Sequence, residues 1–277
     1  TASLAAFGAP IKHNYDLKHV LWKLSFSMEE GSISGDASNT LTLLEDAATV
    51  QLHCSELDVS RVSVDGADAK FLNADGLLTV TLPSPGKAGQ TLTVEAIYTG
   101  HPVTGLYFVP DSRAFPSKTG MIYTQGEGED NHYWLPTYDY PDDKATFECY
   151  VTVPGDWTAI SNGKLLDVNP TGKSRVFHYK LSEPCATYLI SLVAGKYVKV
   201  TDMWRDIPVE YYVPPGLEAE GKVAFGETPK MIDFYSKLTG VDYPYERFSQ
   251  DTVSDFMFGG MENTTCVTQT IRTLHPA

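Results

Sequence analysis

Five consecutive residues near the C-terminal end, Gly259-Gly260-Met261-Glu262-Asn263, have the composition of a site for one end of a peptide. We interpret residues 253–258, which precede them, as a strand that is apolar on both faces. Paired glycines in a strand mark a place where another backbone comes close. The carboxylate that follows can meet a cation carried by the docking chain. The local pattern leaves a second interpretation open, a Gly-Gly turn followed by a solvated glutamate.

The composition indicates a globular and acidic protein. The 277 residues are 42% hydrophobic and 20% charged, which suits one large domain or two ordinary ones. The formal charge of −14 combines 35 acidic with 21 basic residues, and the basic residues form no cluster. This excludes nucleic acid and anionic membrane as favoured partners. A cationic ligand such as a peptide α-ammonium has the compatible sign, although acidity that only maintains solubility also explains most of these charges.

The cysteines argue against a metal site of their own. They stand at positions 54, 149, 185 and 266, without a C-x-x-C pair. Cys149 and Cys185 lie in apolar, strand-like segments and are predicted to be buried thiols. The sequence leaves one disulfide bond possible and therefore does not determine the redox compartment. The longest apolar run, residues 188–194, is far too short to cross a bilayer.

The first 200 residues are predicted to form an all-β domain, a sandwich or a curled sheet. Short segments that alternate apolar and polar residues recur at intervals of roughly 8–12 residues. Asp65-Gly66 and Asp75-Gly76 are strong hairpin signals because both positions tolerate a positive φ. Asn162-Gly163 predicts another tight turn.

Residues 201–277 predict the beginning of an α/β domain. A strand over residues 207–213 precedes an amphipathic helix, which Pro229 should kink or restart and Gly240 should end. A strand and one helix are too little to bury a second core. We therefore expect this domain to be incomplete and to expose apolar surface. The helical period is set by five apolar residues: Val223, Met231, Phe234, Tyr235 and Leu238.

A series of motifs in the chain resembles the N-terminal part of the zinc aminopeptidases related to aminopeptidase N and leukotriene hydrolase. The motifs stand in the same order as in that family, which makes the series more specific than any one of them. They are Gln125-Gly126-Glu127, Trp134-Leu135-Pro136, Asp139-Tyr140-Pro141, Lys144-Ala145-Thr146-Phe147, Ser161-Asn162-Gly163, Tyr243-Pro244 and Gly259-Gly260-Met261-Glu262-Asn263.

The resemblance implies a saddle-like β domain followed by a thermolysin-like catalytic domain. Glu262 would hold the free amino end of a peptide together with Gln125 and Glu127. Gly259 and Gly260 would align the peptide backbone as an added strand. Two converging carboxylates repel each other until a cation arrives, so such a site distinguishes a terminal ammonium from an internal amide. The implied substrate-binding residues are Gln125, Glu127, Gly259, Gly260, Met261, Glu262 and Asn263.

The family's zinc would need residues that this sequence does not contain. The family binds the metal through H-E-x-x-H on a helix and a glutamate further on, and none of the seven histidines here fits that spacing. We therefore expect no catalytic residue and no metal ligand in this chain, with zinc as the cofactor of the complete enzyme. The expected partners are peptide N-termini and the missing C-terminal catalytic part, and the chain alone should not hydrolyse peptides.

Two further hypotheses accompany the metalloaminopeptidase. The chain could belong to a non-catalytic relative that acts as a peptide-binding or assembly module, or it could be a structural β domain. A solvated turn is an alternative interpretation of the acidic run of residues 127–130. The sequence leaves open the compartment, the oligomeric state and the preferred N-terminal residue of a substrate.

Overall fold

The computed structural model describes residues 11–112 and 119–275. Strands account for 54% of the structure and helices for 11%, which confirms the mainly β prediction. Among these residues no helix is both long enough and apolar enough to cross a membrane. All four cysteines are buried and form no disulfide, and burial raises the pKa of the Cys54 thiol to about 12.

The part of the chain that the structure describes contains twenty strands and two α-helices, besides three short 3-10 helices. The strands of the first half are β1 (Tyr15–Ser27), β2 (Ser32–Leu43), β3 (Ala47–His53), β4 (Leu57–Val64), β5 (Ala67–Asp68), β6 (Lys70–Ala74), β7 (Leu77–Gly86), β8 (Thr91–Gly100), β9 (Leu106–Val109) and β10 (Met121–Thr124). They are followed by β11 (Ala145–Pro154), β12 (Thr158–Ser161), β13 (Lys164–Thr171), β14 (Ser174–Cys185), β15 (Leu192–Gly195), β16 (Val198–Trp204) and β17 (Ile207–Val213). The last elements are α1 (Glu218–Phe225), α2 (Thr228–Thr239), β18 (Phe248–Val253), β19 (Gly260–Met261) and β20 (Cys266–Thr270).

The contacts divide the chain into two compact units, and both units are built from separate stretches of sequence. Of the described residues, the first unit contains 11–107, 125–152 and 184–189, and the second contains 108–112, 119–124, 153–183 and 190–275. The predicted domain boundary near residue 200 stays a prediction.

The first unit is built on strands that alternate buried and exposed residues. Its larger sheet has the order β11-β1-β2-β8-β4-β5, and β3, β7 and β6 form a smaller one. In β1 the side chains of Val20, Trp22 and Leu24 are buried, as the period of two requires for one face of a sheet. Both Asp-Gly pairs adopt positive φ in two-residue turns, between β4 and β5 and between β6 and β7, so the hairpin predictions are confirmed.

The second unit contains the α/β segment. Its five-stranded sheet has the order β16-β17-β18-β20-β19, in which β17, β18 and β20 run parallel. The helices α1 and α2 lie between β17 and β18 in the chain, as a crossover between parallel strands requires. Strands β12, β15 and β10 form another sheet of this unit, and β13 and β14 form a hairpin.

Pro229 and Gly240 act on the helices as predicted. A first helix ends at Phe225, α2 begins at Thr228 with proline in its first turn, and Gly240 follows α2 with a φ of 71°. Phe225 and Ile232 pack into a core with strand residues of β16 and β17. The five apolar residues that set the helical period are all more than half exposed: Val223, Met231, Phe234, Tyr235 and Leu238.

The strand predicted over residues 253–258 is wrong. Strand β18 already ends at Val253, and the chain bends from Ser254 to Gly259. Asp255 has a φ of 58°, which is incompatible with an extended strand. The apolar residues of this bend serve different purposes. Phe256 packs edge-on against Tyr123, whereas Met257 is 88% exposed.

Candidate functional site

The Gly-Gly-Met-Glu-Asn segment forms the edge of the five-stranded sheet. Gly260 and Met261 make up β19, which pairs antiparallel with β20 and has no further strand beyond it among residues 11–112 and 119–275. The carbonyl of Gly259 accepts a hydrogen bond from the backbone N–H of Thr270 at 3.2 Å. A methyl group added at Gly259 would meet no atom within 4 Å. The backbone here is therefore open on its outer side.

Burial alternates along this segment and leaves the carboxylate accessible. Met261 is buried, Glu262 is exposed and Asn263 is buried. The side-chain amide of Asn263 donates to the hydroxyl of Thr268 at 3.1 Å. Glu262 is thus presented on an ordered backbone with a buried residue on each side. Asn263 also begins an N-x-T sequon, but its amide is engaged inside the protein.

A tight turn with an unusual residue follows Asn263. The N–H of Cys266 donates to the carbonyl of Asn263 at 3.2 Å, and Thr265 has a φ of 68°. A β-branched residue rarely adopts this left-handed conformation. Such strain costs about 1–3 kcal/mol and persists only where the surroundings hold it.

The Ser161-Asn162-Gly163 turn supplies those surroundings. The side-chain amide of Asn162 donates to the carbonyl of Thr264 at 2.8 Å, and the N–H of Gly163 donates to the hydroxyl of Thr265 at 2.6 Å. A side chain at Gly163 would collide with the carbonyl of Lys180, at 2.0 Å, so only glycine fits. We call these two bonds, with Asn162, Gly163, Thr264 and Thr265, the turn clamp.

Arg247 is the buried centre of the same region, and sequence reasoning missed it. Its guanidinium donates to the carbonyls of Ser161 and Gly163 at 3.0 and 2.7 Å and to the hydroxyl of Ser249 at 2.7 Å. Its Nε lies 3.0 Å from the carboxylate of Glu210. The guanidinium is 4% exposed, and the Glu210 side chain is 9% exposed. The sequence gives only a weak signal for this residue, a lone arginine within an otherwise aromatic stretch.

Asp251 is a second buried charge near Arg247. Neither of its carboxylate oxygens receives a hydrogen bond of good geometry. Burial raises the pKa of the Asp251 carboxyl to about 7, and the positive charge of Arg247 opposes that effect. The negative charge of Glu210, which lies in the same unit, raises the pKa of Asp251 further.

The raised pKa predicts that Asp251→Asn stabilises the protein more at high pH than at low pH. Between about pH 4 and about pH 7 the unfolded carboxyl loses its proton while the folded one keeps it, so wild-type stability falls as pH rises through this window. Asparagine cannot ionise and escapes this loss, which amounts to at most about 1.4 kcal/mol for each pH unit. Denaturant unfolding of both proteins at about pH 5 and about pH 8 measures the change.

Asp233→Asn provides the matched control in the same unit. A hydrogen bond from Lys237 lowers the pKa of Asp233, so the advantage of asparagine at this exposed position should not grow as pH rises. A stability difference for Asp251→Asn that is equal at both pH values would contradict the role given to its burial.

Gln125 and Glu127 both lie in the first unit. Gln125 is buried, and its N–H donates to the carbonyl of Gly105 at 2.9 Å, whereas Glu127 is exposed. Gly126 between them is sterically required, because a methyl group there would lie 2.5 Å from the carbonyl of Tyr188. The convergence of Glu127 on Glu262 stays a prediction.

His132 is buried in a short 3-10 helix, Asn131–Tyr133. Its Nδ1 and its backbone N–H both lie 2.9 Å from one carboxylate oxygen of Asp139. Burial raises the pKa of Asp139, and the hydrogen bond from His132 opposes this. The pair fixes the loop that follows Glu127.

The described residues contain no group of three or more His, Cys, Asp or Glu side chains placed to hold a metal ion. The described residues therefore do not fit a zinc site on their own.

Comparison with known proteins shows what the chain resembles. Aminopeptidase N from Acetobacter pasteurianus is 28% identical over 248 residues, which cover 87% of this chain and 70% of that protein. Leukotriene A-4 hydrolase from Xenopus laevis is 27% identical over an alignment of 292 residues, gaps included, and the match covers 98% of this chain and 46% of that protein. Puromycin-sensitive aminopeptidase from Caenorhabditis elegans is 25% identical over 279 residues, but this chain spans only 29% of its length.

A solved structure shares the fold. A mutant M1 zinc metallopeptidase from Deinococcus radiodurans, bound to a Tyr-Ser-Ala substrate, superposes with a TM-score of 0.83 at 22% identity. The match covers 96% of this chain and 62% of that one. The peptidase M1 N-terminal domain family matches residues 11–189, more than half of the sequence. The resemblance drawn from the motifs is therefore confirmed, and the chain belongs to the peptidase M1 family, whose N-terminal domain it carries.

Proposed function

We propose that this chain forms the N-terminal part of a zinc-dependent metalloaminopeptidase, which removes N-terminal amino acids from peptides. In this proposal the chain binds the α-ammonium and the first backbone groups of the substrate. Gln125, Glu127 and the segment from Gly259 to Asn263 carry that binding. The zinc of the complete enzyme, which activates water when bound, is held by residues outside this chain.

The observation that carries the proposal is the exposed Glu262 directly beside an open sheet edge. An extended peptide can add to an edge strand through backbone hydrogen bonds. Gly260 at that edge is exposed and offers no side chain to obstruct the approach. The carboxylate two residues later can then pair with a terminal ammonium, whereas an internal peptide segment has no charge to offer it.

Two experiments test this function. Reading the coding frame past Ala277 should reveal H-E-x-x-H followed by a further glutamate; their absence would favour a non-catalytic relative. Expression of the complete frame should then give hydrolysis of an alanyl anilide with a free amine and none of its N-acetylated analogue. The 277-residue chain alone should release no product from either substrate.

A further inference from the structure

We propose that Asn162 and Thr265 are positioning residues, which hold Met261–Asn263 in the conformation that receives a peptide ammonium. This inference rests on the proposed function for its ligand. Its structural part, that the turn clamp orders this segment, stands on the contacts of the second unit alone.

The segment is fixed on both sides of Glu262. On one side, Met261 pairs with Thr268 in the sheet. On the other side, the turn clamp holds Thr264 by its carbonyl and Thr265 by its hydroxyl. Between these attachments Asn263 is also held, by its hydrogen bonds with Thr268 and Cys266, so Glu262 stands on a backbone that is fixed on both sides.

The clamp itself is anchored to a rigid frame. The side-chain oxygen of Asn162 accepts a hydrogen bond from the N–H of Ser191 at 2.7 Å, and the hydroxyl of Ser161 donates to the carbonyl of Ser191 at 2.7 Å. Ser161 also pairs with Leu192 where β12 meets β15. Asn162 is 3% exposed, so its two hydrogen bonds are shielded from water.

The conformation of Thr265 indicates that the clamp holds the turn under strain. Its positive φ is maintained by Gly163 on the side chain and by the N–H of Ser249, which donates to the Thr265 carbonyl at 2.8 Å. Strained residues concentrate where surroundings over-determine a functional geometry. A carboxylate presented on such a fixed backbone needs no ordering when its ligand arrives.

Amide hydrogen exchange of the 277-residue chain tests the structural part. Thr265→Val removes the acceptor for Gly163 and should accelerate exchange in residues 259–265 by roughly tenfold, the effect of leaving one buried donor unsatisfied. Thr265→Ser keeps the hydroxyl and should exchange at the wild-type rate. Thr265→Gly tolerates the positive φ and should fold like wild type, yet exchange as fast as Thr265→Val. Wild-type exchange rates in both hydroxyl-free variants would overturn the clamp.

Binding of alanyl-alaninamide, followed by chemical shifts in NMR, tests the functional part, with the N-acetylated dipeptide as control. Wild type and Thr265→Ser should bind the free amine alike, and Thr265→Gly about five- to tenfold more weakly. Equal binding by wild type and Thr265→Gly would overturn the positioning role while the proposed function stands. No preference of the wild type for the free amine would overturn the proposed function, and with it the ammonium role of the clamp.

Discussion

Under the proposed function, Glu262→Ala should lower kcat/KM of the complete peptidase by on the order of a hundredfold or more for peptides with a free amino end. A bound peptide would cover Glu262, which is exposed in the free chain, and removal of one member of such a desolvated pair costs roughly 2–5 kcal/mol. The loss should be confined to recognition of the amine. Steady-state kinetics with an alanyl anilide measure it directly.

Two variants make this result specific. Glu262→Gln keeps the shape and a hydrogen-bonding oxygen but removes the charge, so it should lose most of the same activity. Glu246→Ala removes an exposed glutamate of the same unit and should retain wild-type kinetics. An unchanged rate of Glu262→Ala on an unblocked substrate would remove Glu262 from the site.

Arg247→Met should destabilise the chain by about 3–5 kcal/mol, because it leaves buried acids without their cation. Glu210 loses its ion pair with Arg247, although Lys199 still contacts its other oxygen at 2.7 Å. Asp251 loses the charge that favours its ionised form. The carbonyls of Ser161 and Gly163 lose their donors as well. Denaturant unfolding at neutral pH measures the change.

Arg205→Met is the matched control for this prediction. Arg205 pairs with Asp242 at 2.6 Å, but both side chains are at least half exposed. Exposed ion pairs contribute little, so this variant should unfold close to wild type. Equal stability of Arg247→Met and Arg205→Met would show that the buried network is not a major source of stability.

Local chemistry explains the parts of the fold that the sequence predicted well. The two Asp-Gly pairs form hairpins because both residues accept positive φ. Pro229 separates two helices because proline fits the first turn of a helix and not its interior. These outcomes depend on neighbours within a few residues, which the sequence shows directly.

Features that depend on distant residues could not be predicted. The bend after Val253 places Phe256 against Tyr123, more than a hundred positions earlier, a contact that local apolarity, which suggested a strand, does not reveal. Apolar spacing identified α2 but not which side of it faces its own sheet. Ile232 turns inward, while Met231 and Tyr235 remain exposed.

The candidate site divides in the same way. The exposed Glu262 and the open glycines follow from a local motif. The link from Asn162 to Thr264 spans 102 positions, and no spacing rule connects them. Gly163 was the one local signal for this link, because a glycine in a tight turn indicates that another part of the backbone approaches closely.

The two-residue length of β19 has a consequence for the range of peptides handled under the proposed function. So short a template offers few backbone hydrogen bonds, so residues far along a peptide gain none from β19. A dipeptide and a long chain would then dock with comparable strength. Under the proposed function, trimming then continues as the peptide shortens, one residue after another, down to its last bond.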